Sequence, residues 1–346
     1  MMQMPAEFGR HERTVMCWPS RRDLYNQRLG DAKRAHATVA KTISGFEQVT
    51  MIANAADVDE AAELCGNTVD VAALPIDDSW FRDSGPTYVV DGNRREGTCW
   101  VFNGWGNKFL PYENDAKVAA AWVKSQGDTV RHVDMVLEGG SINVDGAGTL
   151  VTTEQCLLHK NRNPHLTRER IAARLCSELG QERVVWLPHG LALDDDTDGH
   201  VDNVAAFCAP NVLVLQGCDD AREPDHVRCA ENRVAAERAE LEIREIPVLP
   251  FTTSEGRRMV VPYLNFYVVN GGVIVPVCGH AADDDMMGLI AEWFPDRQIV
   301  GLDVGEILAY GGGGIHCITQ QVPAVSGFDG NGVQQQRVSP TTSLSG

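Results

Sequence analysis

The sequence predicts an α/β fold built from a repeated αβ unit rather than a doubly wound sheet, on three observations. Amphipathic segments at helical spacing recur at 32–45, 115–126, 167–179, 225–241 and 283–294, giving five main helices. Short β-rich runs lie between them, several closed by hairpin turns, so that strand, turn, strand, helix, strand repeats about every 55 to 80 residues. No GxGxxG or P-loop follows a strand, which removes the nucleotide-binding version of an α/β chain.

The elements follow in order. QVTMIAN (48–54) is a strand after the first helix, and the acidic run DVDEAAELC (57–65) is a shorter helix or a capped turn. TYVVDG and CWVFNGW precede the second helix, and SINVDGAGTLVTT, with its Val-Asp-Gly-Ala-Gly turn, precedes the third. VAAFCAPNVLVLQG turns at Ala-Pro-Asn before the fourth helix, and NFYVVNGGVIVPV turns at Asn-Gly-Gly before the fifth. IHCITQQVP is read as a last strand. No long linker divides the chain, so 1–323 is expected to be a single catalytic domain. The stretch 324–346, rich in Gly, Ser, Gln and Thr, is a polar tail that adds little to a core.

Of 346 residues, 43% are hydrophobic, enough for a large buried core, and no apolar run is long enough to span a membrane. Residues 1–16 contain no apolar segment of the secretory type, so the expected location is cytoplasmic. The ten cysteines form no CxxC pair, which argues against a zinc ribbon or a dithiol redox motif and for reduced thiols. With 48 acidic against 30 basic side chains, the formal charge is −18, and nucleic acid and anionic membrane are poor partners. A small cation suits that field better.

Four segments could carry chemistry. In GGGGIHCITQQ (311–321), glycines Gly313 and Gly314 remove side chains just before Cys317, so a bound electrophile could approach the thiol; an ordinary buried cysteine after a loop is the other reading. His316, adjacent to Cys317, would point to the opposite face of a strand and serve that thiol poorly, so a distant histidine such as His200 is required. Around His200, a strand would project Asp198, His200 and Asp202 from one face. That arrangement suits acid/base work or a metal ion, with His280 the nearest further ligand, or is a solvated acidic loop. Trp80 beside Asp83 could cradle a flat cation, or Arg82 and Asp83 could form a surface pair over a core tryptophan. Glu138 lies next to two glycines at the start of a hairpin.

WFRDSGP (80–86), LEGGSI (137–142), DDDTDGHVDN (194–203) and GGGGIHCITQQVP (311–323) resemble the agmatine deiminase family. HERT, CWP, FNGWGNKF (102–109) and LNFYVVNGGVIVP (264–276) extend the resemblance over nearly the whole chain. It departs at Cys17, where a small residue such as alanine is expected, and at 277–288. The resemblance implies a pentein α/β propeller of five pseudo-symmetric ββαβ units around a central active site. It also implies that Cys317 is the nucleophile, His200 the general acid/base, Glu138 the carboxylate supporting His200 and substrate, and Asp83 with Asp202 the pair holding the guanidinium. Trp80, Gly313 and Gly314 would line the pocket, and the acidic loop Asp194 to Asp198 would meet the distal amine.

The implied reaction converts agmatine and water to N-carbamoylputrescine and ammonia, a step toward putrescine, without metal or organic cofactor. Its physical logic is independent of the resemblance. A guanidinium carbon shares its charge over three nitrogens and is a poor electrophile, so the reaction needs a thiolate and two carboxylates forked onto the planar cation. Arginine or peptidylarginine is the alternative substrate, and a metal-dependent hydrolase or an inactive polyamine binder are the alternative classes. Self-association stays open.

Overall fold

The computed structural model describes residues 2–327. Four units share one plan, an antiparallel hairpin, a helix and a returning strand parallel to the second hairpin strand. The first of these comprises Thr87–Asp91, Arg94–Val101, helix Asp115–Ser125 and Thr129–Val136. The next two begin at Ile142 and Ala205 and carry helices Arg168–Leu179 and Pro224–Arg238; the last begins at Tyr267 and carries helix Asp283–Trp293.

The remaining unit is assembled from both ends of the described chain. Thr319–Pro323 pairs antiparallel with His11–Cys17, and after helix Leu29–Ser44 the strand Gln48–Ala53 returns parallel to His11–Cys17. Helix Val58–Cys65 then leads to Asp70–Ala73 on the outer edge. These make five units in five separate sheets, with a sixth, two-stranded sheet formed by Phe251–Ser254 and Arg257–Val260.

Helix formation follows the burial pattern. In Leu29–Ser44 the buried Ala32, Ala35, His36, Val39, Ala40 and Ile43 recur at three- and four-residue steps and face the sheet. Helix Arg168–Leu179 is capped by Thr167, whose side chain accepts from Arg170 N, and ends at Gly180 in a left-handed conformation (φ 64°). Apart from Gln48–Ala53, the returning strands are the elements that alternation missed: Glu242–Ile246 has three charged residues of five and forms a sheet edge.

Two strand expectations are corrected. The segment around His200 is not a strand: Asp194–Gly199 is a looped turn, and Val201–Asn203 forms a single 3₁₀ turn. Only Thr319–Pro323 of the last run is strand, so Cys317 sits in a turn between helix Gly305–Tyr310 and that strand. Of the polar tail, Ala324 N bonds Arg10 O and Ser326 N bonds Gly92 O; residues 328–346 lie outside the described residues.

The N-terminal segment enters the core over Gly180. Met4 N donates to Leu179 O at 2.9 Å, and a Cβ on Gly180 would lie 2.2 Å from the Met2 carbonyl oxygen. Gly180→Ala therefore combines a left-handed backbone with a backbone clash and is expected to lower stability by about 1–3 kcal/mol in urea unfolding. An unchanged midpoint would mean that this segment does not dock there.

Candidate active site

Asp83, Glu138, His200, Asp202 and Cys317, drawn from four separate segments, converge among buried residues. Asp83 lies in the short helical turn Phe81–Ser84, and Glu138 immediately precedes the 3₁₀ turn Gly139–Ser141. His200 Nδ1 is 3.8 Å from Asp83 Oδ1, and His200 Nε2 is 3.7 Å from Glu138 Oε2. The Cys317 sulfur is 3.5 Å from Asp202 Oδ2 and 3.3 Å from Asn265 Nδ2.

Gly140 explains the LEGGSI motif. A Cβ there would stand 2.6 Å from His200 Nδ1, 2.9 Å from Asp83 Oδ1 and 3.0 Å from Asp202 Oδ2, so the backbone passes where these three side chains meet. Its amide donates to Asp83 Oδ1 at 2.9 Å. The other Asp83 oxygen accepts from the Trp105 indole at 2.9 Å. Trp105 itself is left-handed (φ 52°, ψ 47°) between Gly104 and Gly106, a conformation that costs an L-residue about 1–2 kcal/mol and that aims the indole at the carboxylate.

A pocket opens onto the thiol. Trp80, Asp83, Trp105 and Cys317 line its buried end, while Leu24, Phe109 and Asp196 line the part nearer solvent. Asp78 also lines it, with its carboxylate 3.1 Å from Arg21 and pushed up to about 6 by burial against that ion pair.

The four glycines divide their work. Gly311 and Gly312 line the pocket. A Cβ on Gly312 would lie 2.8 Å from Asp196, one on Gly313 would lie 2.5 Å from the Trp80 ring, and one on Gly314 would lie 2.3 Å from Asn265 Oδ1. Gly313 and Gly314, expected to line the pocket, instead lie behind it, leaving room for the lining Trp80 and for Asn265.

Asp198 takes a different place from the strand-face expectation. Its carboxylate bonds Asn161 at 2.9 Å, Arg162 at 2.9 Å and Lys108 at 2.6 Å. Arg162 in turn holds Glu138 at 2.8 Å, so Asp198 acts on the site through Arg162. Its neighbour Asp196 is the member of the acidic loop that lines the pocket, 3.5 Å from Arg257. Among the described residues, Asp198, His200 and Asp202 do not converge as a metal cluster; the donors that do are Glu138, Cys156 and His200, within 4.8 Å of one another.

Charge balance fixes the protonation pattern. Burial disfavours charge on Asp202 and Glu138, but His316 and His200 at the first, and Arg162 and His200 at the second, hold both carboxyls below their ordinary range. Burial raises Asp83, with Asp202 and Glu138 adding to the rise against His200. His200 is pushed well above the usual imidazole range, because Asp83, Cys156 and Glu138 outweigh its burial. Burial, then Asp202 and Asp83, keeps the Cys317 thiol well above its ordinary value. These surroundings favour the protonated forms of both Cys317 and His200.

Behind the site lies a network that no local motif announced. The His316 ring is held by Asp202 at 2.9 Å and Glu7 at 2.9 Å, and Glu7 also binds Arg82 at 3.0 Å. Arg82 is buried and bonds Gln321, so it is not the surface partner of Asp83. Glu7, Asn265, Trp105 and Arg162 were missed because each acts across more than twenty residues of sequence. Only Trp105, an aromatic between two glycines, carried a local signal.

A thiol, an imidazole and three carboxylates at the centre of five ββαβ units define a pentein-type α/β propeller. The chain belongs to the Porphyromonas-type peptidyl-arginine deiminase family, whose model matches residues 3–323. It is 40% identical to the agmatine deiminase of Stutzerimonas stutzeri over 352 residues, covering 93% of this chain and 95% of that protein. Identity is also 40% to the Pseudomonas aeruginosa agmatine deiminase, again over 93% and 95% of the two chains. The solved structure of Enterococcus faecalis agmatine deiminase superposes with a TM-score of 0.88 at 32% identity, covering 93% of this chain and 96% of that one. No helix among the described residues is long and apolar enough to cross a membrane.

Glu7 is held near pKa 2 because His316, Arg82 and the Val268 amide outweigh the burial that would raise it. A depressed acid contributes stability that is fully present above its unfolded value near 4.5 and is lost as pH falls toward 2. Glu7→Gln leaves His316 and Arg82 without their carboxylate and should cost about 3–5 kcal/mol near neutrality. The gap from wild type should narrow between pH 4.5 and 2 in acid unfolding; a gap independent of pH would remove Glu7 from the network.

Proposed function

We propose that this chain is an agmatine deiminase that hydrolyses agmatine to N-carbamoylputrescine and ammonia, with Cys317 as nucleophile. The observation that carries the reading is the placement of the Cys317 sulfur 3.5 Å from Asp202, in a pocket that Asp83 and two tryptophans also line. A planar cation between Asp83 and Asp202 satisfies two buried carboxylates at once and presents its carbon to the thiol.

The site is poised for the cation rather than for solvent. A thiol held protonated by neighbouring carboxylates becomes easier to ionise when a guanidinium neutralises them, so attack follows binding. As the guanidinium binds, the Cys317 thiol releases its proton to solvent; the sulfur adds to the guanidinium carbon, and His200, already an imidazolium, gives its proton to the departing amino group, which leaves as ammonia as the C–N bond breaks. The now neutral His200 takes a proton from water, which attacks the amidino-thioether carbon; the thiol leaves and the ureido product forms. Glu138, steadied by Arg162, supports the imidazolium through this cycle.

Asp196 is the member of the acidic loop best placed for the distal ammonium, because it lines the pocket nearer solvent, and that ammonium would replace Arg257, 3.5 Å away, as its partner. An arginine substrate would put a carboxylate at the same place, where Asp196 repels it and Arg257 attracts it, so the comparison of the two substrates is part of the assay.

The decisive assay incubates the protein with agmatine, arginine and a blocked arginine peptide, with and without chelator, and measures ureido product and ammonia. Agmatine should be turned over, chelator should change nothing, and Cys317→Ser should lose about 10⁴-fold or more in kcat/KM. Turnover by Cys317→Ser equal to wild type would overturn the reading. Asp196→Asn should raise the agmatine KM by roughly 10- to 100-fold, the worth of a charge-assisted hydrogen bond, with a smaller effect on kcat; an unchanged KM would move the distal amine elsewhere.

A further inference from the structure

One buried nucleophilic group has no task in this scheme. Cys156 lies in the short helix Glu154–Leu157, capped by Thr153, whose hydroxyl accepts from Cys156 N at 3.2 Å. Its sulfur, an imidazole nitrogen of His200 and a carboxylate oxygen of Glu138 lie within 4.8 Å of one another, and all three residues are buried. Both ring nitrogens of His200 are buried without a hydrogen-bond partner. A buried imidazole with two unused nitrogens beside a thiol and a carboxylate has the chemistry of a metal-ligand set.

We propose that Glu138, Cys156 and His200 form an inhibitory site for a thiophilic divalent cation, with Zn²⁺ as the type ion. Sulfur, nitrogen and oxygen donors are the set zinc prefers, and three protein ligands leave a fourth position for water. Tetrahedral coordination places such donors about 3.3–3.6 Å apart, so the side chains need to converge by about an ångström or so. Arg162, itself bonded to Asp198 and the Thr197 carbonyl, already fixes the Glu138 carboxylate from behind.

The charge balance permits the exchange. Capture releases one proton from the Cys156 thiol and one from the His200 imidazolium and adds a dication, so the net charge beside Arg162 and Asp83 is unchanged. The cation replaces two protons, and His200 loses the one it would deliver to the leaving ammonia. Inhibition rests on the deiminase reading through His200; occupancy of the site does not.

The test therefore has two readouts on the full chain. In the first, Zn²⁺ is titrated while ammonia release from agmatine is followed. Inhibition should be reversed by chelator, and Cys156→Ser should raise the half-inhibiting concentration by at least about tenfold relative to its own metal-free rate. In the second, one equivalent of Co²⁺ should give a near-ultraviolet thiolate charge-transfer band that persists in Cys317→Ser and is lost in Cys156→Ser. This band reads the site even if agmatine is not the substrate. No inhibition of active wild type, unchanged sensitivity in Cys156→Ser, or a band lost in Cys317→Ser but kept in Cys156→Ser would overturn the proposal, the last placing the cation on the nucleophile. Should Cys156→Ser fail to fold, the Cys317→Ser spectrum decides, its band supporting the site and its absence refuting it.

Discussion

Asp202 Oδ2 faces the His316 ring at 2.9 Å on one side and the Cys317 sulfur at 3.5 Å on the other, almost out of contact with water. Burying a carboxylate there is tolerable only because His316 is itself held by Glu7, and Glu7 by Arg82. Asp83 and Glu138 repeat the problem with different partners, an indole and a backbone amide for one and Arg162 for the other. The molecule keeps three buried acids around a cavity, and its remaining buried charges are arranged to make that arrangement stable without filling the cavity itself.

That constraint also sets the order of chemical events. In water a cysteine thiol ionises near pH 8.5, whereas here burial and two acids oppose ionisation until a cation arrives. Asp83 and Glu138 also hold His200 well above the usual imidazole range, the form the proposed proton transfer needs. In the proposed reaction, electrostatics that look unfavourable for a nucleophile become a requirement that the cation bind before the thiol reacts. A reactive thiolate is not left exposed to other electrophiles.

Much of the architecture was legible because helices advertise themselves by period. All five helices fall within three residues of the expected bounds, since each buries one stripe against one sheet. The loop around His200 was misread as a strand because alternation of acid and imidazole looks like a pleat. Its actual geometry depends on Asp194, which accepts from the amides of Thr197 and His200 and so forces a turn. Cys317, His200, Asp83, Glu138 and Asp202 were legible because glycine and sharp turns surround them. Glu7 and Arg162 were not, because a salt bridge made with a residue from another unit leaves no periodic mark on either segment.

The pairing of Thr319–Pro323 with His11–Cys17 has a further consequence, for biosynthesis. A ribosome delivers four units, the imidazole and all three acids before Cys317 emerges. The strand that completes the unit built from both ends comes directly after that cysteine. Until that strand docks, a nascent chain keeps an open sheet edge at His11–Cys17, and nothing yet ties the segment that carries Cys317 to that edge. Placement of the thiol and topological completion are then one folding event.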